Sequence, residues 1–138
     1  MRTLHRSHRK PLIVLCVDDN EDGRKLCARF FNEAGFIIVE AADGLQALKS
    51  ALTLRPSLVV MDLNLPKLDG WQTTRLLKAD ARTRNVPVIA LSANVFPRHR
   101  IEAELAGCDA FLEKPVHLDA LRVTTTRLLA FNPFVQPS

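Results

Sequence analysis

Leu12-Ile13-Val14-Leu15-Cys16-Val17-Asp18-Asp19 is an apolar run that stops on two carboxylates. Six apolar residues with no polar alternation leave no wet face, which is the pattern of a strand covered on both sides. Three similar runs follow, each ending beside a residue able to do chemistry. They are Leu58-Val59-Val60-Met61 before Asp62, Val88-Ile89-Ala90-Leu91 before Ser92, and Ala110-Phe111-Leu112-Glu113 before Lys114. In a parallel sheet the carboxyl ends of the strands share one rim, and ligands bind there where strand order reverses. Three carboxylates, a hydroxyl and an ammonium are thus expected at one place. That set suits a divalent cation and a phosphoryl group.

The segments between these runs read as helices. Asn20-Glu21-Asp22 places a capping residue and two acids at a helix start. Leu26, Cys27, Phe30, Phe31 and Ala34 recur at three- and four-residue steps until Gly35 ends the pattern. Phe36 to Val39 is a second strand. Asp43-Gly44 opens a helix carrying Leu45, Leu48, Ala51 and Leu52, which Arg55-Pro56-Ser57 breaks. The loop from Asp62 to Gly70 leads into a helix with Leu76 and Leu77. Pro87 starts the fourth strand, and Asn94 to Pro97 form a loop. Ile101, Leu105 and Gly107 mark a helix and its stop, and Leu118, Leu121, Leu128 and Leu129 mark the last one.

Five βα units with short connections dictate right-handed crossovers and a parallel sheet with helices on both faces. For five units the expected architecture is a flavodoxin-like, doubly wound α/β fold with strand order 2-1-3-4-5. The first and third strands then lie side by side, and Asp18, Asp19 and Asp62 become neighbours. The expected organisation is a basic, disordered leader over 1–10, one domain over 11–130, and a short tail over 131–138.

Composition sets the outer limits. The 138 residues suit one domain, and 47% hydrophobic with 25% charged residues is ordinary for a globular protein. No apolar run approaches the roughly 20 residues of a membrane span. The basic start has no secretory apolar segment, so a cytoplasmic location is expected. The pI of about 9.3 misleads. Arg2, Arg6, Arg9 and Lys10 carry the whole excess of +4, while the body holds fifteen basic and fifteen acidic residues. A nucleic-acid partner needs a basic face, and the body offers none. Cys16, Cys27 and Cys108 lack the spacing of a zinc site and read as small core residues in a reducing compartment.

Crowded carboxylates repel, and a divalent cation removes that penalty. Magnesium takes oxygen ligands, commonly one or two carboxylates with phosphate and water. Asp18, Asp19 and Asp62 can supply the carboxylates, and a backbone carbonyl of the Asp62–Pro66 loop another position. Asp62 can act as a nucleophile and form an acyl phosphate. Lys114 would offer a fixed positive charge to the phosphoryl group, and Ser92 a hydroxyl donor. Each residue alone has a plainer use: a helix cap at Asp18-Asp19-Asn20, a cap at Ser92, a solvated lysine at 114.

Together the motifs Val17-Asp18-Asp19-Asn20, Met61-Asp62, Leu65-Pro66-Lys67-Leu68-Asp69-Gly70, Ala90-Leu91-Ser92-Ala93 and Glu113-Lys114-Pro115 resemble the receiver domains of two-component response regulators over about residues 11–130. The resemblance implies that Asp62 accepts a phosphoryl group from a sensor histidine kinase or a histidine phosphotransfer protein. It implies Mg²⁺ held by Asp19, Asp62 and the carbonyl of Asn64, with Asp18 acting partly through water. Ser92 would be the switch hydroxyl, Phe111 the switch aromatic and Lys114 the phosphoryl-binding lysine, with a cis Lys114-Pro115 peptide. Phe111 departs from the more common tyrosine and has no hydroxyl. Asn64 lies beside the path of an attacking water.

The expected behaviour is a population shift. Phosphoryl oxygens on Asp62 draw Ser92 inward, Phe111 fills the vacated space, and the 92–116 face changes shape for an unknown downstream protein. Val95-Phe96-Pro97 is the apolar loop expected to touch that partner, or to fold onto the core. The leading expectation is a stand-alone, chemotaxis-regulator-like switch that is not an enzyme. Alternatives are a receiver module of a hybrid kinase and a phosphorelay intermediate; pairing as a homodimer through the fourth and fifth units is also open. An aspartyl-nucleophile phosphohydrolase is disfavoured because position 64 is Asn where a second acid would act. Rossmann nucleotide binding is disfavoured because no glycine-rich phosphate loop follows any strand.

Overall fold

The computed structural model describes residues 11–94 and 96–135. The expected leader over 1–10, Val95 of the apolar loop and residues 136–138 lie outside the described residues. Five strands, β1 (Ile13–Val17), β2 (Ile37–Ala41), β3 (Leu58–Asp62), β4 (Val88–Ser92) and β5 (Ala110–Glu113), form one parallel sheet in the order 2-1-3-4-5. Five helices connect and follow them: α1 (Glu21–Glu33), α2 (Gly44–Leu54), α3 (Gly70–Ala79), α4 (Pro97–Ala106) and α5 (Leu118–Leu129).

The central strands β1, β3 and β4 are covered on both faces, which is why they read as unbroken apolar runs. Val14, Cys16 and Val60 point to the side of α1 and α5, where Phe30, Phe31 and Leu121 meet them. Leu15, Val17, Val59 and Met61 point to the other side, onto Ala47 and Ala51 of α2 and Leu77 of α3. Leu63, Ala90 and Ala103 of α4 complete that side, with Trp71 and Phe111 at its margin. Burying a side chain such as Phe31 or Leu15 contributes about 1.5–3 kcal/mol each. Val17 is paired with Met61, so Asp18 and Asp62 emerge together on adjacent strands.

Two boundaries and one helix face differ from the sequence reading. β2 runs through Glu40 to Ala41, because the Glu40 carboxylate is held by Arg24 and Lys25 and an acid in the strand breaks the apolar pattern. Pro97 begins α4 instead of closing a loop; its fixed φ suits the first helical position. In α4 the residues against the sheet are Ala103 and Ala106, whose small size lets the helix approach closely. Ile101 and Leu105 face outward, 55% and 77% exposed. No described helix is long and apolar enough to cross a membrane.

Past α5 the chain folds back. The Phe134 ring lies 5.2 Å from that of Phe30 and 6.3 Å from that of Phe36. The Arg122 guanidinium sits 5.5 Å from the Phe30 ring centre and 5.6 Å from that of Phe134.

Candidate functional site

At the carboxyl rim, the Lys114 ammonium bridges two carboxylates. Its Nζ lies 3.0 Å from Asp18 Oδ2 and 2.9 Å from Asp62 Oδ2, although the partners are 96 and 52 residues away. The other oxygen of each carboxylate is held by a backbone amide two residues on. Asn20 N–H donates to Asp18 Oδ1 at 2.9 Å, and Asn64 N–H donates to Asp62 Oδ1 at 3.0 Å. Asp18 and Asp62 are therefore fixed at both oxygens. They are nearly buried, at 4% and 6% exposure, whereas Asp19 is exposed. One oxygen of each of Asp18, Asp19 and Asp62 lies within 4.8 Å of the other two.

Three carboxylates and one ammonium leave a net charge of −2. Burial pushes the Asp62 carboxyl pKa up by stripping its water, and the Asp18 charge adds to this against the Lys114 and Asn64 hydrogen bonds. Burial also opposes the Lys114 ammonium, but its contacts with Asp62 and Asp18 outweigh that and hold its pKa above the usual lysine range. The causes differ: burial is the main reason the Asp62 carboxyl resists ionising, whereas the excess of acid over base around Lys114 keeps its proton on. A hard divalent cation relieves this excess, and the donor set, all oxygen with one acid exposed, fits magnesium.

The local sequence explains the placement. Asn20 caps α1 by accepting from Gly23 N–H at 3.0 Å. Gly23 then allows the helix to start against the acid, since a Cβ there would lie 2.9 Å from Asp18 Oδ2. Asp69 caps α3 through Gln72 N–H at 2.8 Å. Gly70 lets that helix press on the end of β3, where a Cβ would meet the Asp62 carbonyl oxygen at 2.7 Å. Lys67, at φ 67, sends its ammonium to 3.6 Å from Asp43 and ties the β3–α3 loop to the cap of α2. The Lys114–Pro115 peptide is cis.

Ser92 and Phe111 are near but differently engaged. Ser92 ends β4 fully buried, and its hydroxyl donates to the Asn94 carbonyl and accepts from the Asn94 amide, both at 3.0 Å. Phe111 is half-buried, with the Arg100 guanidinium 5.2 Å from its ring centre. Asn64 is exposed, and its described contact here is the hydrogen bond its backbone N–H donates to Asp62 Oδ1. A cleft of about 240 Å³ opens beside Asp18 and Lys114, lined also by Leu26, Val116, Leu118 and Leu121.

Sequence reasoning missed Gly23, Arg24 and Glu40. A glycine in the first turn of a helix, where alanine is favoured by about 1 kcal/mol, was the available signal for the first. Nothing in the sequence marks the pairing of Arg24 with Glu40.

A family model described as "Response regulator receiver domain" matches residues 14–126. The chain belongs to the receiver domains of response regulators. It is 35% identical over 106 residues to the polar-differentiation response regulator DivK of Brucella anthropi, covering 77% of this chain and 86% of that one. The response regulator Rre1 of Synechocystis is also 35% identical, over 88% of this chain, which spans only 53% of that longer relative. Among solved structures, the receiver domain of sensor histidine kinase PA1611 from Pseudomonas aeruginosa superposes with a TM-score of 0.81 at 32% identity. That match covers 88% of this receiver and 99% of the other, which carries a magnesium ion coordinated in its active-site cleft.

Proposed function

We propose that this receiver accepts a phosphoryl group on Asp62, with Mg²⁺, from a histidine kinase or histidine phosphotransfer protein. The observation that carries the reading is the Lys114 ammonium held between Asp18 and Asp62, with Asp19 exposed beside them. An Asp62 oxygen attacks phosphorus in line with the departing imidazole nitrogen; the O–P bond forms, the N–P bond breaks, and the histidine leaves neutral after taking a proton. Asp18, Asp19, Asp62 and the Asn64 carbonyl are the proposed Mg²⁺ holders. Bound Mg²⁺ would neutralise charge on the attacking carboxylate and the phosphoryl oxygens. Lys114 is the proposed partner of a phosphoryl oxygen, and its ammonium 2.9 Å from Asp62 Oδ2 supports that reading.

Ser92 is the proposed switch hydroxyl. Turning toward a phosphoryl oxygen, it releases the Asn94 backbone, and Phe111 leaves Arg100 to fill the space behind. The 92–116 face, with exposed Phe96, then presents a different surface to a downstream protein. The apolar cleft next to Lys114 suits a helix of the phosphodonor. The role is that of a cytoplasmic binding switch, not an enzyme acting on a separate substrate, and the body over 11–130 is its unit. The greater length of Rre1 and the kinase origin of the PA1611 receiver favour, as a second reading, a module working within a larger protein.

The test is intact mass after incubation with acetyl phosphate, with and without Mg²⁺, for the wild type and Asp62→Asn. A Mg²⁺-dependent phosphoryl adduct is expected on the wild type alone. An adduct retained at an aspartate in the variant refutes the acceptor assignment.

A further inference from the structure

Asp18 is held at its backbone as well as its carboxylate. Its N–H donates to the Ala41 carbonyl of β2 at 3.1 Å, and its own carbonyl accepts from Arg24 Nη1 at 2.9 Å. A peptide is planar, so fixing the Asp18 oxygen fixes the plane that carries the Asp19 nitrogen. The two contacts bracket Asp18 and set the direction in which the chain leaves toward Asp19.

Arg24 is itself clamped. Its Nε donates to Glu40 Oε1 at 2.9 Å, and its side chain is 15% exposed. Glu40 sits opposite Cys16 in the β1–β2 ladder, two residues before Asp18 on the neighbouring strand. Its second oxygen takes the Lys25 ammonium at 2.9 Å. A guanidinium can serve a carbonyl and a carboxylate at once through its rigid fork, which an ammonium does less well. β2, an edge strand already bonded to Asp18 through the Ala41 carbonyl, thereby gains a side-chain link to the acidic rim.

We propose that Arg24 is a positioning residue for this acidic site: gripping Glu40, it orients the Asp18–Asp19 peptide so that Asp19 joins Asp18 and Asp62 around a divalent cation. The inference rests on the Mg²⁺ reading above. It is distinct from an electrostatic role, and the two differ in sign. Arg24 is a cation near a cation site, so its field alone opposes Mg²⁺. Removing it leaves Glu40 with less compensation, and Coulomb attraction would then tighten binding. If Arg24 works by orientation, its removal weakens binding instead.

The experiment is calorimetric Mg²⁺ titration of EDTA-stripped wild type, Arg24→Ala, Arg24→Lys and Lys25→Ala, with thermal unfolding and amide spectra of each metal-free protein. Arg24→Ala and Arg24→Lys are expected to raise the Mg²⁺ Kd by about tenfold or more, as for other groups that orient metal ligands. Lys25→Ala, which loses only an exposed pair, is expected to stay within roughly twofold of wild type. The Asp19 and Asn20 amide resonances are expected to move in both Arg24 variants and not in Lys25→Ala. An Arg24→Ala protein that is folded and binds Mg²⁺ as tightly as wild type, or more tightly, overturns the proposal. If that variant does not fold, Arg24→Lys decides in its place: wild-type affinity overturns the proposal, weakened affinity supports it. A wild type that fails to bind Mg²⁺ defeats the parent reading and this one together.

Discussion

Two parts of the same rim are built in opposite ways. Around Asp18, Asp62 and Lys114, every carboxylate oxygen has a partner, and the atoms come from β1, β3 and the end of β5. Around Ser92 and Phe111 the contacts are local or weak: a hydroxyl looped onto Asn94 two residues away, and a ring beneath one exposed guanidinium. α4, which follows, rests on two alanines and turns its larger apolar side chains to solvent. The first region is preassembled, which under the proposed function leaves little reorganisation for phosphoryl transfer. The β4–α4 region is held by interactions that a few kcal/mol can exchange, which suits a two-state element.

Asp62→Asn breaks the first region most completely. It is expected to abolish the phosphoryl adduct and the Mg²⁺-induced rise in stability, which at a hundredfold excess over Kd is about 2.7 kcal/mol for the wild type. Urea unfolding with EDTA or with Mg²⁺ reads the second effect. Lys114→Ala is next. Without the ammonium, two nearly buried carboxylates lose a shared partner, and the metal-free fold is expected to lose about 1–3 kcal/mol. Mg²⁺ then stabilises this variant more than wild type, while phosphorylation no longer moves the 92–116 amide resonances.

A pH series sharpens the contrast. Asp62 has its folded pKa raised, so its contribution to stability is fully present below the unfolded carboxylate value of about 3.9 and is lost as pH rises through the folded one. Metal-free wild type minus Asp62→Asn is therefore expected to fall in stability as pH rises across that window. Mg²⁺ affinity should rise over the same window, since the cation competes with the proton. A flat difference curve would place the burial effect elsewhere. The smallest expected change belongs to the second region. Arg100→Ala removes a cation over an aromatic face, a contact of about 0.5–1 kcal/mol when exposed. It should leave Mg²⁺ affinity unchanged while shifting the Phe111 ring resonances toward the phosphorylated pattern.

The unequal legibility of these regions in the sequence has a physical origin. Strands buried on both faces must be apolar throughout, so β1, β3 and β4 announce themselves and carry Asp18, Asp62 and Ser92 to predictable ends. Sheet order 2-1-3-4-5 was the expected one among those that right-handed crossovers allow for five units, and the structure has it. α4 was visible as a helix, but not its orientation: Ala103 and Ala106 form a stripe beside the Ile101 and Leu105 stripe, and only packing chooses between them. The local engagement of Ser92 and the grip of Arg24 on the Asp18 carbonyl depend on side-chain direction across elements. Neither hydropathy nor spacing encodes that.

Phe134 has a use beyond closing the fold. Its ring packs at a tilt against Phe30, in the last turns of the helix whose first turn presses on Asp18. A protease cut after residue 130 removes that ring and leaves Phe30 and Arg122 facing water. Hydrogen exchange along α1 would then quicken from its carboxyl end, and how far the loss of protection travels toward Gly23 would measure the helix's stiffness as a strut under the acidic rim.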